Sequence, residues 1–104
     1  MKNLVVKINE CKYVNMYLDV IKGIEEMMLD NCWSNEIEES LIVKGFERIS
    51  TSNGEFLIKD ECKIVCYDDD VEIYHNNKLV LIVRSTYDIG NGIVIAELIV
   101  NDYK

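Results

Sequence analysis

Apolar residues recur at two different spacings along this chain, and the change falls near Gly45. Leu4, Val5, Val6 and Ile8 form a short run stopped by Asn9 and Glu10, too brief for a helix and better suited to a β-strand. From Val14 the spacing becomes three and four: Val14, Tyr17, Leu18, Ile21, Ile24 and Met28 form one face, and Asp19, Lys22, Glu25, Glu26 and Asp30 the other. That pattern predicts a long helix over about residues 13 to 30. Gly23 lies inside it at a cost of about 1 kcal/mol relative to Ala, which suggests close packing against another backbone. Asn31, Cys32 and Trp33 interrupt the period. Asn35, with Glu38 three positions on, then reads as a capping box. The helix it opens has Ile37 and Leu41 as its apolar stripe and Gly45 as a left-handed terminator, so it should end near Val43 or Lys44.

Beyond Gly45 the period becomes two, or the run becomes wholly apolar, and turn-formers punctuate it. Phe46 to Ser50 and Glu55 to Lys59 flank Thr51-Ser52-Asn53-Gly54, whose Asn-Gly pair favours positive φ and a hairpin. Cys62 to Tyr67 and Val71 to His75 flank Asp68-Asp69-Asp70, and Asn76-Asn77 forms the next turn. Lys78 to Ser85 includes Leu79-Val80-Leu81-Ile82-Val83, apolar on both faces and therefore expected to be a central strand. Ile89-Gly90-Asn91-Gly92 turns the chain into Ile93 to Val100. The expected architecture is a single α+β domain over residues 1–104, β-α-α followed by a five-strand antiparallel meander, with two helices on one face of the sheet.

Composition agrees with one ordinary core: 104 residues, 49% apolar, no Pro. A chain of this length hides about two-thirds of its unfolded surface. The N-terminal apolar run is too short for a signal-peptide core or a membrane span, so a cytoplasmic protein without membrane contact is expected. Without a secretory signal, Cys11, Cys32, Cys62 and Cys66 are expected to stay reduced.

Candidate chemistry gathers around Cys62, Cys66 and His75. Thiolates and imidazole bind zinc, but cysteines four apart on a strand stand about 13 Å apart at ~3.3 Å per residue, too far for one ion. Two small thiols packed on one sheet face is the simpler expectation. His75 is the only histidine, so an imidazole general base would have to be it, but no Gly-rich elbow or oxyanion donor accompanies any cysteine. Asp68-Asp69-Asp70 lacks the alternating ligands and the glycine of a calcium loop, and Gly90-Asn91-Gly92 lacks the lysine and following helix of a phosphate cradle. No catalytic residue, metal or cofactor is expected.

Charge changes the picture most. The formal net charge is −8, and it is segregated. From Gly23 to Val43 there are six acids (Glu25, Glu26, Asp30, Glu36, Glu38, Glu39) and no Lys or Arg. From Asp60 to Asn77 there are six more, Asp68, Asp69, Asp70 and Glu72 among them, against Lys63 alone. The rest of the chain is slightly basic. Direct nucleic-acid binding is excluded, because phosphates would be repelled. A carboxylate surface does suit a basic protein partner, and Trp33, the only tryptophan, sits between the two acidic helices as an aromatic anchor would. In general character the chain resembles the small acidic inhibitors of phages and other mobile elements, anti-CRISPR and anti-restriction proteins that imitate nucleic acid, and also toxin-immunity proteins. That resemblance is compositional and carries over no residue.

The resulting expectation is a non-enzymatic protein that blocks a basic nucleic-acid-binding or catalytic groove of a larger protein, such as a nuclease or defence effector. Glu25, Glu26, Asp30, Trp33, Glu36, Glu38 and Glu39 would form one contact patch, and Asp68, Asp69, Asp70 and Glu72 another. A toxin-immunity protein is the alternative within that class. A small enzyme or nucleotide-binding domain using Cys62, Cys66 and His75 is the alternative outside it. An edge strand of the meander could also pair with its twin in a homodimer.

Overall fold

The computed structural model describes residues 12–101. The strand expected over Leu4 to Ile8, and Cys11, lie outside them. The long helix is present but divided: α1 spans Lys12–Met16 and α2 spans Leu18–Leu29. Tyr17 interrupts the helical conformation between them, with φ −112° and ψ 24°. The helical backbone bonds from Tyr17 to Tyr13 and from Ile21 to Tyr17 persist there, and the rings of Tyr13 and Tyr17, one turn apart, both reach that of His75.

α2 ends in a left-handed Asn31, φ 61°. The Asn31 amide donates to the Met28 carbonyl and the Cys32 amide to that of Met27, which satisfies two of the last free carbonyls. The next helix, α3, spans Ser34–Val43. Its cap departs from the expected one by two residues. Trp33 holds the cap position with extended backbone, and the Glu36 carboxylate accepts the Trp33 amide at 2.7 Å. Only that half of a capping box operates, because an indole offers no acceptor for the reciprocal bond. Gly45 ends α3 at φ 106°, as its position implied, with the Phe46 amide bonded to the Leu41 carbonyl.

Six strands follow, one for each of the six runs read from the sequence, although the meander was expected to have five: β1 Glu47–Thr51, β2 Gly54–Lys59, β3 Cys62–Cys66, β4 Asp70–His75, β5 Lys78–Asp88 and β6 Ile93–Val100. Each pairs antiparallel with the next in chain order, which is the meander foreseen. The turns obey local chemistry. Asn76 and Asn77 both take positive φ, as a two-residue type I′ turn requires. In the first hairpin Gly54 alone does so, and Ser52 and Asn53 make the turn.

All three helices lie on one face of the sheet. Ile21, Ile24, Met28, Ile37 and Leu41 from above meet Leu57, Ile64, Val71, Ile73, Leu81, Val83 and Ala96 from below in one buried core. The wholly apolar run in β5 has a particular cause. Ile73 pairs with Leu81 but Tyr74 pairs with Leu79, so Val80 is an extra residue in a bulge, and Val80 and Leu81 are both fully buried. Asn101 completes the bulge by donating its side-chain amide to the Leu79 carbonyl and its backbone amide to that of Val80. β5 is flanked on both sides, as its apolarity implied, though it is next to the edge strand β6.

The opposite sheet face carries half-buried residues with charges among them. There the Lys63 ammonium lies 5.2 Å from the Phe56 ring centroid and 4.6 Å from that of Tyr74, so its stem and charge cover apolar surface. Gly23 makes room for the Lys44 side chain, whose ammonium would lie 2.8 Å from an added Cβ, and not for another backbone as expected.

Candidate binding groove

Two ends of the sheet gather functional groups, and they differ in character. At the end where β3 begins and β4 ends, Cys62 and His75 are cross-strand partners. The Tyr17 hydroxyl and His75 Nδ1 share a hydrogen bond of 2.6 Å. The Cys62 thiol also neighbours the Tyr17 hydroxyl. Beside this chain lies a cavity of about 370 Å³ bordered by Tyr17, Lys44, Phe46, Lys59 and Cys62. Lys59 is held there by the Lys44 carbonyl at 3.0 Å.

Burial governs the thiols of this cluster. Burial pushes the Cys62 thiol up to about 11, the reverse of what a nucleophile needs. Burial, then the charge of Glu38, pushes Cys66 up to about 12. Tyr17 is raised above its ordinary range first by burial and then by the neighbouring thiol. Cys66 stands four residues along β3, as the strand spacing required. No group of three or more His, Cys, Asp or Glu among the described residues is arranged to hold a metal ion, and Cys32, Cys62 and Cys66 are free thiols.

A pH dependence follows. Because the fold favours the neutral thiols, Cys62 and Cys66 contribute stability that is fully present below the unfolded thiol pKa of about 8.5. That contribution is lost as pH rises through about 11 and about 12. Urea midpoints should therefore fall as pH rises from about 9 to about 12, because thiol ionisation is linked to unfolding, and fall less in Cys66→Ala; an unchanged midpoint would contradict it.

The other end of the sheet brings the two acidic segments together. Here Trp33, Asp68 and Asp69 line one cavity of about 190 Å³ with Cys32 and Ser85. A second of about 460 Å³ adjoins it, sharing Asn31, Asp69 and Ser85 and extending to Tyr87 and Val94. Together they form a groove running from an indole at one end to a phenol at the other. Its lining contains no Lys or Arg. Trp33 is 70% exposed and Tyr87 63%, unusual for large aromatic side chains on a small domain.

Local backbone chemistry fixes this shape. The left-handed Asn31 and the Glu36–Trp33 bond orient the α2–α3 connection. The Ser85 amide donates to the Asp69 carbonyl at 2.7 Å and the Tyr67 amide to that of Asp70 at 2.7 Å, which ties the β3–β4 turn to β5. Burial, followed by the carboxylates of Glu36 and Asp30, raises the Cys32 thiol, so a neutral thiol lies in the wall.

The sequence-predicted acids separate by what they already hold. Glu38 and Glu39 accept from Arg48 on β1, at 3.2 and 3.5 Å. Asp70 holds Arg84 in a two-pronged pair at 2.9 and 3.2 Å on the far face of the sheet. Glu72 accepts the Tyr74 hydroxyl at 2.8 Å, and Glu36 serves the cap. Glu25 is half-buried on α2. Glu26, Asp30, Asp68 and Asp69 have no side-chain hydrogen bond or ion pair among the described residues. Asp30 also stands at the C-terminus of α2, where the helix dipole disfavours an anion. Tyr87 was not singled out from sequence, and nothing in its strand pattern marks it. The second cavity is made by β5 continuing three residues past the expected end at Ser85.

No protein-family model, curated protein or solved structure matches this chain. No helix among the described residues is long and apolar enough to cross a membrane.

Proposed function

We propose that this is a non-enzymatic binding protein whose acidic, aromatic-rimmed end engages the basic nucleic-acid-binding or catalytic groove of a larger protein, in the manner of a phage-type anti-CRISPR or anti-restriction inhibitor. One observation carries the reading. The only tryptophan is exposed in a groove with Asp68 and Asp69, carboxylates that have no internal counter-charge among the described residues. Acids placed for stability would be paired or set at helix N-termini, as Glu36, Glu38, Glu39 and Asp70 are. Asp30, Asp68 and Asp69 have neither among the described residues, and that arrangement suits a cationic partner.

Toxin neutralisation by an immunity protein would use the same surface, and the gene neighbours would separate the two. The reading as an enzyme or nucleotide-binding domain using Cys62, Cys66 and His75 loses ground, because burial holds both thiols protonated. The test is affinity capture of the partner followed by binding measurements across salt. Affinity should fall steeply from low to physiological ionic strength, mainly through the association rate. Flat salt dependence would eliminate the electrostatic mechanism.

A further inference from the structure

We propose that the groove between the α2–α3 connection and the β3–β4 turn is a receptor for an arginine side chain on an extended segment of the partner. This rests on the function proposed above and names the chemistry the groove would recognise. The first cavity, of about 190 Å³, is lined by the exposed Trp33 and by Asp68 and Asp69, which are also exposed. A guanidinium is planar and carries five donors in a fixed fork, so it can stack on the indole while directing paired N–H groups at a carboxylate. A lysine ammonium presents a compact, strongly hydrated charge and cannot do both.

The alternatives fit less well. A metal ion would need several oxygens converging on a point, and no such cluster exists among the described residues. An apolar helix would bury Asp68 and Asp69 without partners, and uncompensated buried charge opposes that strongly. An extended segment is favoured because the adjoining cavity shares Asn31, Asp69 and Ser85 and carries the lining on to Tyr87 and Val94, so residues next to the arginine have a continuous surface to follow. The walls are held by the Glu36–Trp33 and Ser85–Asp69 hydrogen bonds, so little ordering is required on binding.

Trp33 is itself the reporter, being the only tryptophan in the chain. The intact protein is titrated with a blocked hexapeptide alternating arginine and glycine, and with its charge-matched lysine counterpart, while Trp33 emission is followed. A saturable change with the arginine peptide is expected, with at least about fivefold weaker binding of the lysine peptide. Asp69→Asn, which keeps the backbone carbonyl that Ser85 uses, should weaken the arginine peptide about tenfold, and Glu47→Gln at the far end of the sheet should not. Circular dichroism of each variant checks the fold. An unresponsive Trp33, equal binding of the two peptides, or an Asp69→Asn protein that binds as before would each overturn the proposal. If the peptide fails but the captured partner still binds with steep salt dependence, the functional reading stands and the arginine receptor falls. If the peptide binds but the partner's affinity ignores salt, the reverse holds.

Discussion

Asp68→Lys combined with Asp69→Lys is expected to weaken binding of the captured partner by about 2 kcal/mol or more, roughly thirtyfold, because like charge then faces like charge across the contact. The fold should barely respond. Both side chains are exposed and have no ion pair among the described residues, and such substitutions usually change stability by under about 0.5 kcal/mol. The natural comparison, reversing Glu38 and Glu39, would be ambiguous. Those two hold Arg48 and so join α3 to β1, and losing binding there could mean losing the join. Reversing Glu47 and Glu61, exposed residues at the opposite end of the sheet, changes net charge equally and serves as the control. Surface plasmon resonance at two salt concentrations reads both. Equal losses from the two pairs would mean that net charge alone governs binding and that the groove has no special part in it.

That choice of residues required the structure, and the reason is physical. Periodicity reports which face of an element is buried, so the helices, the meander and nearly every turn were legible from the chain alone. It does not report which charges are already paired, because pairing joins positions distant in sequence. Arg48 reaches Glu38 and Glu39 across a helix–strand contact, and Arg84 reaches Asp70 across a ladder. Of the acids expected to form the two contact patches, Glu36, Glu38, Glu39, Asp70 and Glu72 are therefore already engaged within the fold. The two acidic segments were separate patches in the sequence, and only the packing of α2 over β5 brings the connection at Trp33 beside the turn at Asp68 and Asp69.

Other misses were also matters of tertiary context. The break at Tyr17 falls where its hydroxyl meets His75, 58 positions away, a partner that periodicity does not register. The cap moved from Asn35 to Trp33 because the Glu36 carboxylate can satisfy an amide three residues back whatever side chain the cap residue carries. A cap motif read from residue types alone favours Asn over Trp and so errs by two positions.

Leu81→Ala should cost the domain about 2–5 kcal/mol, the range for emptying a fully enclosed leucine site. Leu81 has no exposed surface and lies opposite Ile73 on β4 and Val100 on β6, next to the bulged Val80. The bulge leaves the site little freedom to collapse, since Asn101 bonds the carbonyls of Leu79 and Val80 and holds the strand in place. The cost should therefore approach the upper part of that range. Against a total stability of about 5–15 kcal/mol for a domain of this size, the loss would be visible as a large fall in the urea midpoint by circular dichroism. Ile82→Ala is the informative comparison, because Ile82 points to the half-buried face without helices and should cost less than half as much. If the two substitutions proved equally damaging, the uncovered face would be as well packed as the covered one, and the assignment of the core to the helix side of the sheet would be wrong.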